Sequence, residues 1–265
     1  MLPPDVQDAL RGIDLGRIDS VERIKHGLTN DSWLVRSDAG SFVVRNSNTS
    51  EDSLQINRRS EALILEAVAR AGIGPEVICC DPARHLLVTR YAGTTWTEAH
   101  ALDQANIGRV AALLRRLHAV KPPPGIQIVD LGSVVHGYLR TLDEHGRTME
   151  SDHSQLRARA DQIASFLRAE PELRLCHNDI HALNIVDDGT LRLIDWEYAG
   201  LGERMFDLAS ICVYHRYSKL QREQILDGYL DAPDPLAWHR LELCCWLFDY
   251  VRDLWTAVRE LDVSA

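Results

Sequence analysis

The first third of the chain alternates apolar and polar positions in short runs, which is the pattern of half-buried strands. Three such runs follow a short predicted helix at residues 3–12, and they are residues 21–26, 32–37 and 41–45. Two more apolar runs, GIGPEVICCD and LLVTRYAGTTW, lie on either side of the turn Pro82-Ala83-Arg84. The pattern therefore predicts five strands, interrupted by one long helix at residues 53–71 that ends at Gly72.

After residue 97, apolar positions recur every three to four residues, which is typical of amphipathic helices. The segment Asp103–Val120 is apolar at positions 107, 110, 113, 114 and 117, and the sequence PPPG at 122–125 ends it. Further helices are predicted at residues 132–146, 154–169, 205–217 and 235–261. Two short apolar runs, residues 173–176 and 191–194, are predicted as strands within this helical part.

Composition restricts the class of protein. The 265 residues suit one large domain or two modest lobes, with 45% hydrophobic and 26% charged residues. No apolar run approaches the roughly 18 residues of a membrane span, and the start MLPPDVQDAL lacks a signal pattern, so we expect a cytoplasmic protein without a membrane partner. The net charge of −10 argues against a nucleic-acid partner and is compatible with a cationic substrate. The six cysteines form no C-x-x-C pair, so we expect them to be small buried hydrophobes.

The stretch from Leu175 to Asp207 carries the candidate chemistry. Asp179 follows one predicted strand, Asn184 lies five residues later, and Asp195 follows the next strand. This is the H-x-D-x-x-x-x-N spacing, followed by a metal-binding carboxylate, that kinase-type phosphoryl transfer requires. Asp179 would accept the proton of the substrate hydroxyl, and Asn184 and Asp195 would hold Mg²⁺. The alternative is a polar turn without chemistry. That alternative does not explain why the histidine, Asp179, Asn184 and Asp195 occur in this order and spacing.

The sequence motifs of this stretch resemble those of a known family. The segments CHND, NIV, IDWEYAG and FDLA resemble the choline and ethanolamine kinases within the aminoglycoside phosphotransferase superfamily, and thiamine kinase shares IDWEYAG. The resemblance extends from Gly27 to about Trp255. It implies a protein-kinase-like α/β fold of two lobes. Residues 1–92 would form a five-stranded nucleotide-binding lobe, and residues 93–265 a mainly helical lobe for catalysis and substrate binding.

Four side chains near this loop have supporting roles by position. We expect His177 to brace the catalytic loop and Asp207 to accept its N–H groups. His181 is either a substrate contact or an exposed loop residue. Glu197, two residues after Asp195, is expected to orient Asn184 or a metal-bound water.

The nucleotide site is predicted from three segments. In the segment GLTNDS at 27–32, Thr29, Asn30 and Ser32 can lie over phosphate oxygens, although most such hairpins bind nothing. The segment resembles the GLTN loop of choline kinases, which covers the nucleotide phosphates. Arg45 ends the third strand, and Glu61 of INRRSE would aim it at the phosphates; the alternative is an exposed arginine and a solvated glutamate.

A hinge is predicted at residues 89–93, where backbone groups would pair with the purine. Tyr91 begins the Y-x-G-x-x-W segment that resembles the family. Backbone recognition leaves no side-chain signature, so both ATP and GTP fit the pattern.

The last helix suggests a substrate site. Leu247, Val251, Leu254, Trp255 and Val258 share an apolar side, whereas Glu242, Trp246, Asp249, Tyr250 and Asp253 share another. Rings interleaved with carboxylates suit an alkylammonium group, so the last four of the second set are predicted to contact the substrate. The alternative is a half-exposed surface stripe.

One segment departs from the family. Eukaryotic choline kinases continue the FD motif as D-x-x-N-H-F-x-E, in which the glutamate helps to hold the ammonium group. Here Ser210 stands for the asparagine and Tyr214 for the glutamate. Tyr214 is therefore predicted to add a ring to the substrate site, and choline itself is less firmly implied.

The predicted function is ATP- and Mg²⁺-dependent phosphorylation of a small cationic amino alcohol, choline or ethanolamine. A thiamine or aminoglycoside kinase is the alternative within the superfamily. A catalytically silent kinase-like binding module is the alternative outside catalysis, but Arg45, Glu61, Asp179, Asn184 and Asp195 are all present. A protein kinase is disfavoured because no A-P-E segment lies between Asp195 and Asp207. The sequence carries no signal for the oligomeric state.

Overall fold

The computed structural model describes residues 2–24, 30–47, 53–147, 153–169, 171, 173–232 and 234–264. The predicted mixture of a five-stranded sheet and a helical part is confirmed. Within the described residues, no helix is both long enough and apolar enough to cross a membrane. Thr29, which the sequence predicts as a phosphate contact, lies outside the described residues.

A short helix, α1 (Pro4–Ala9), precedes an antiparallel sheet with the strand order β1-β2-β3-β5-β4. Its strands are β1 (Ile18–Ile24), β2 (Asn30–Ser37), β3 (Gly40–Ser47), β4 (Val77–Asp81) and β5 (Leu86–Arg90). Alternation along β3 places Phe42 and Val44 in a cluster with Val6 of α1. The opposite face of β3 therefore presents Val43 and Arg45 to the large cleft described below.

The helical part contains seven helices among the described residues. They are α3 (Glu98–Leu102), α4 (Gln104–His118), α5 (Leu131–Glu144), α6 (His153–Ala169), α7 (Arg204–Tyr214), α8 (Lys219–Tyr229) and α9 (Ala237–Ser264). The long α9 packs along α7 and also contacts α5 and α6. Helix α8 was not predicted, because its buried residues are few: Ile225, Leu226 and Tyr229.

Two small sheets frame the catalytic stretch. Strand β7 (Leu173–Cys176) pairs antiparallel with β10 (Gly200–Glu203). Strands β6 (Thr94–Thr95), β8 (Ile185–Asp187) and β9 (Leu191–Leu193) form the other. Asp179 and Asn184 therefore lie between β7 and β8, and Asp195 lies between β9 and β10.

Helix α2 (Arg58–Arg70) begins five residues later than predicted. The side chain of Asn57 caps it by accepting from the Ser60 N–H at 3.0 Å. The residues before it are held instead against α5, since Leu54 is fully buried and the Gln55 side chain donates to the Val134 carbonyl at 3.1 Å. Gln55 lies so close to Gly137 that a Cβ there would come within 2.6 Å of its amide. Helix α2 thus joins the same hydrophobic core as the helical part.

Candidate active site

A cleft of about 940 Å³ lies between the five-stranded sheet and the helical part. The sheet contributes Val43 and Arg45, and the catalytic stretch contributes Asp179, Asn184 and Asp195. The three polar residues predicted to carry the chemistry therefore line one cleft.

The loop after β7 is held by the carboxylate of Asp207, at the first turn of α7. Its Oδ2 accepts from the backbone N–H of His177 at 2.9 Å, and its Oδ1 accepts from that of Asn178 at 2.6 Å. His118 of α4 also contacts Oδ2, at 3.0 Å. Asp207 is fully buried, so these partners supply the hydrogen bonds that a buried carboxylate needs. The backbone bonds predicted for Asp207 are present.

His177 is fully buried and fixes the backbone on both sides of the site. Its Nε2 contacts the Ile194 carbonyl at 2.9 Å, and its Nδ1 accepts from the Asp179 N–H at 3.3 Å. Both contacts are satisfied by one neutral tautomer with the proton on Nε2. Burial also lowers the pKa of His177, which keeps the ring neutral. The ring therefore ties the residue before Asp195 to the loop of Asp179, as its predicted bracing role requires.

The carboxylate of Asp179 is half-buried and oriented by three side chains. Tyr214 donates to Oδ1 at 2.9 Å, the Asn184 amide donates to Oδ2 at 3.0 Å, and His181 lies 3.6 Å from Oδ2. Burial alone would raise the pKa of Asp179, but the contact with His181 and the hydrogen bond from Tyr214 outweigh it and lower the pKa. The group is therefore an ionised acceptor at neutral pH.

Asn184 and Asp195 lie side by side because the Ile194 N–H donates to the Asn184 carbonyl at 3.0 Å. The Asn184 amide nitrogen donates to both the backbone and the side-chain oxygen of Asp179, at 2.9 and 3.0 Å. This orientation leaves the amide oxygen as the atom to offer a cation. Asp195 has a left-handed backbone with φ 65°, a strained conformation for a residue with a Cβ that is found at functional sites.

The charges around Asp195 fit a divalent cation. Burial raises the pKa of Asp195, and the neighbouring carboxylate of Glu197 raises it further, while Arg45 acts in the opposite direction. The site thus has more negative charge than its arginines neutralise. Carboxylate and amide oxygens are the ligands that Mg²⁺ prefers, so the residues present fit that ion.

Arg45 and Glu61 form the pair expected from the sequence. The Arg45 guanidinium lies 2.8 Å from the Glu61 carboxylate and 3.3 Å from Asp195. Burial alone would raise the pKa of Glu61, but the guanidiniums of Arg45 and Arg58 lower it. Glu61 is 2% exposed, which excludes the alternative of a solvated surface glutamate.

Glu197 does not fill the first of the two roles predicted for it. It does not orient Asn184, whose amide is taken up by Asp179. Its Oε2 instead lies 3.1 Å from the Arg58 guanidinium and 2.9 Å from the Asn30 amide nitrogen. These contacts require α2 and β2 to meet the segment after β9. No local pattern in the sequence predicts that meeting.

The sheet end of the cleft contains the other residues that the sequence predicts for a nucleotide site. Asn30 and Ser32 of β2 and Tyr91 all line the cleft. The N–H of Tyr91 donates to the Ser41 carbonyl at 2.9 Å, so a purine edge would pair with other groups of the hinge. Gly93 has φ +113° and approaches the Asp187 backbone so closely that a Cβ would come within 2.8 Å of it. Only glycine fits there without strain.

The predicted acidic and aromatic stripe of α9 does not line the cleft, which corrects the substrate assignment for Trp246, Asp249, Tyr250 and Asp253. Trp246 stacks on Tyr250 with a 5.6 Å centroid distance, and the Tyr250 hydroxyl contacts His153 of α6 at 3.2 Å. The cation over the Trp246 ring is the protein's own Arg159, 4.5 Å from the centroid.

Asp249 and Asp253 are exposed. Helical periodicity predicts which residues share a face, but it does not say which neighbour that face meets. Here the stripe meets α6.

The face of α9 that does reach the cleft shares only Val251 and Trp255 with the side predicted as apolar. It presents Phe248, Val251, Arg252, Trp255 and Thr256. The Trp255 indole donates to the Tyr198 hydroxyl at 2.8 Å, and the Arg252 guanidinium lies 5.9 Å from the centroid of the Tyr214 ring. Tyr198 and Trp255 were not predicted as site residues, although Tyr198 belongs to the IDWEYAG segment, which was the available signal. Tyr214 lines the same end of the cleft.

Comparison with protein families gives one match that covers most of the chain. The model described as the phosphotransferase enzyme family matches residues 20–243. Among individual proteins, a LicA protein of Haemophilus influenzae is 27% identical over 249 residues, which are 88% of this chain and 91% of that protein. A thiamine kinase of Escherichia coli is 26% identical over 211 residues, which are 79% of this chain and 70% of that protein.

Solved structures resemble the chain over nearly its full length. A choline/ethanolamine kinase family protein from Mesorhizobium loti has a TM-score of 0.80 at 25% identity, covering 97% of this chain and 87% of that one. The choline kinase LicA from Streptococcus pneumoniae has a TM-score of 0.83 at 21% identity, covering 97% and 90%. A LicA structure in complex with AMP has a TM-score of 0.80 at 20% identity, again covering 97% and 90%. The protein-kinase-like fold predicted from the motifs is confirmed.

Proposed function

The chain belongs to the phosphotransferase enzyme family, and on that premise we propose that it is an ATP- and Mg²⁺-dependent kinase of a small cationic alcohol. The observation that carries the proposal is the convergence of Asp179, Asn184 and Asp195 in one cleft with the Arg45–Glu61 pair. These are the parts that phosphoryl transfer needs: a base, two metal ligands and a cation for the phosphates. Choline and ethanolamine are the first candidate acceptors.

The nucleotide would bind at the sheet end of the cleft, with residues 1–92 supplying most of its contacts. Ile24, Val43 and Leu87 from the sheet line this end, together with Val186 and Ile194 of the helical part. Apolar surfaces from the two parts of the protein suit a flat purine ring. A LicA structure with a similar fold is in complex with AMP, which supports an adenine nucleotide as the ligand, and ATP is therefore the proposed donor.

Asp179 would act as the base. As the acceptor oxygen forms its bond to the γ-phosphorus, the bond from that phosphorus to the bridging oxygen of ADP breaks, and Asp179 takes the hydroxyl proton. Asn184 and Asp195 would hold Mg²⁺, which when bound neutralises charge on the phosphates. Arg45, held by Glu61 and Asp195, would contact the phosphates from the opposite wall.

Two features favour a cationic acceptor. Tyr198, Tyr214 and Trp255 supply ring faces near Asp179, which suit an ammonium group. Burial raises the pKa of Tyr138 and Tyr198, and the Asp179 and Glu197 carboxylates raise both further, which shows that two carboxylates lie near these rings. The similarity to a thiamine kinase keeps thiamine, which is also a cationic alcohol, as the second candidate.

A panel assay tests this proposal. The purified chain with ATP and Mg²⁺ is supplied in turn with choline, ethanolamine, thiamine and kanamycin, and ADP release is measured alongside phosphorus NMR of the product. We expect the highest kcat/KM with choline or ethanolamine, and a kcat lower by about 10²-fold or more for Asp179→Asn. Thiamine or kanamycin as the best acceptor would reject the amino alcohol. ATP binding without turnover of any acceptor would favour the binding module instead.

A further inference from the structure

We propose that Glu197 and Arg58 are positioning residues that fasten the start of β2 to the metal-binding segment, and that Glu197 is not itself a metal ligand. The set Asn30, Ser47, Arg58 and Glu197 is called the β2 anchor below. The inference rests on the proposed nucleotide site and extends it to residues that touch neither the acceptor nor the reacting atoms.

The β2 anchor joins four elements at one point. Asn30 is the first residue of β2 and pairs in register with Ser47, the last residue of β3. Arg58 is the first residue of α2, and Glu197 lies two residues beyond Asp195. Asn30 and Glu197 are 167 positions apart in the sequence, so the contact is made only by the folded chain.

The amide of Asn30 is committed to protein partners. Its Oδ1 accepts from the Ser47 hydroxyl at 2.7 Å and from the Arg58 guanidinium at 3.2 Å, and its Nδ2 donates to Glu197 at 2.9 Å. Both acceptor positions of Oδ1 are thereby used. Asn30 lines the cleft, and these three bonds hold its amide against β3, α2 and the segment after β9.

Glu197 is likewise committed, because it is 2% exposed and its Oε2 contacts both Arg58 and Asn30. A carboxylate that coordinated the metal through this oxygen would have to leave both partners. Breaking a buried pair leaves an uncompensated charge, which is strongly unfavourable.

The charges alternate along the network from the metal site to the β2 anchor. Asp195 contacts Arg45, Arg45 contacts Glu61, Glu61 contacts Arg58 at 2.8 Å, and Arg58 contacts Glu197. Two arginines thus stand against three carboxylates. Asp195, the predicted metal ligand, stands at one end of this network and Glu197 at the other.

The anchor therefore fixes the distance between the phosphate-facing start of β2 and Asp195. Asn30 and Ser32 line the cleft on one side of the predicted phosphate position, and Asp195 lines it on the other. Loosening the anchor would weaken contacts to the phosphate chain and leave the purine contacts unchanged.

Calorimetry without acceptor separates this role from metal ligation. Wild type, Glu197→Ala, Arg58→Gln and Asn30→Asp are titrated with ATP and with AMP, first in EDTA and then in Mg²⁺. Loss of a hydrogen bond to a charged group corresponds to about a tenfold change in Kd, so we expect the variants to bind ATP about tenfold more weakly in both conditions, with AMP unchanged. Glu66→Gln, which removes an exposed pair with Arg70 on the same helix, is the control and should match wild type.

A double variant that exchanges the charges of residues 30 and 197 distinguishes a lost contact from misfolding. Asn30→Asp alone places a second carboxylate against Glu197, whereas Asn30→Asp with Glu197→Gln restores one carboxylate and one amide in reversed positions. We expect the double variant to recover most of the ATP affinity that Asn30→Asp loses.

Four outcomes would overturn the role. A defect of Glu197→Ala seen only in Mg²⁺, with a raised apparent Kd for the metal, would make Glu197 a ligand. If the variants lost equal affinity for AMP and ATP, the β2 anchor would contribute only to general stability. The same would follow if the double variant did not recover affinity for ATP. A wild-type chain that binds no adenine nucleotide would refute the proposed function as well.

Discussion

The hydroxyl of Tyr214 donates to Oδ1 of Asp179 at 2.9 Å, from the last residue of α7 to the catalytic loop. Asn184 donates to the other carboxylate oxygen, so both are oriented before any acceptor arrives. By its resemblance to the eukaryotic choline kinases, the chain would be expected to carry at position 214 a glutamate that helps to hold the ammonium group. In this chain the position acts on the predicted base itself.

Asp179→Asn tests the base. The amide keeps the size of the side chain but cannot take the hydroxyl proton, so kcat should fall about 10²-fold or more while ATP binding persists. Steady-state kinetics and calorimetry measure the two quantities. Near wild-type kcat would remove Asp179 from this role.

Tyr214→Phe tests the orienting bond. Removing one hydrogen bond of about 1 kcal/mol should lower kcat about fivefold and leave the KM for ATP unchanged. Tyr217→Phe is the matched control, because its hydroxyl donates only to the Ala101 carbonyl in the helical core. That variant should lower the melting temperature without lowering kcat. Equal kcat values for Tyr214→Phe and Tyr217→Phe would mean that Tyr214 has only a structural role.

Asp195→Ala tests the metal site. The variant should be inactive at every Mg²⁺ concentration, because it removes the carboxylate that is predicted to hold the ion together with Asn184. Its affinity for ATP should fall in Mg²⁺ and not in EDTA, as measured by calorimetry. Unchanged affinity for ATP in Mg²⁺ would mean that Asp195 is not a ligand of the metal.

Arg252→Gln tests the acceptor end of the cleft. The guanidinium near Tyr214 repels a cationic acceptor, although Asp249 at 2.6 Å offsets part of its charge. Removing it should lower the KM for choline about two- to fivefold at low salt, with a smaller effect at high salt. Arg159→Gln removes a cation outside the cleft and should change neither value. A raised KM would instead mean that Arg252 attracts an anionic part of the acceptor.

Asp187→Asn tests a pH-dependent contact outside the chemistry. Arg109 donates to both oxygens of Asp187, at 2.8 and 3.0 Å, and thereby lowers its pKa from 3.8 to about 2. A folded-state pKa below the unfolded value stabilises the fold above about pH 4 and loses that effect as the pH falls towards 2.

Solvent screening of this partly exposed pair limits the effect to about 1 kcal/mol. The free energy of unfolding, measured by urea titration, should therefore be lower in the variant at pH 7. It should approach the wild-type value near pH 2. A difference that stayed constant with pH would contradict the ionic contribution.

The chemistry of the site was predictable because its residues are close together in the sequence. Asp179, Asn184 and Asp195 lie within one stretch between short strands, so spacing alone brings them into one site. The strand Leu173–Cys176 was likewise predicted with its observed bounds. Contacts between distant segments were not predictable, and Glu197 is the clearest case, since its partners Asn30 and Arg58 lie in the first quarter of the chain.

The prediction that the stripe of α9 contacts the substrate was wrong for a different reason. Its rings and carboxylates do share a face, as periodicity predicts, but the neighbour of that face is α6. A cation–π contact is indeed made by Trp246, with Arg159 as the cation. Composition of a face therefore indicates a type of contact, and tertiary packing decides the partner.

The docking of α2 determines how such an enzyme can be controlled. Leu54 is fully buried, Gln55 is bonded to α5, and the Gln127 N–H donates to Ser60 at 3.0 Å, so α2 cannot rotate outward without breaking the core of the helical part. The Arg45–Glu61 pair is consequently already formed without any activating partner or phosphorylation. An outward-to-inward movement of α2, which would switch this ion pair on and off, is therefore not open to this fold.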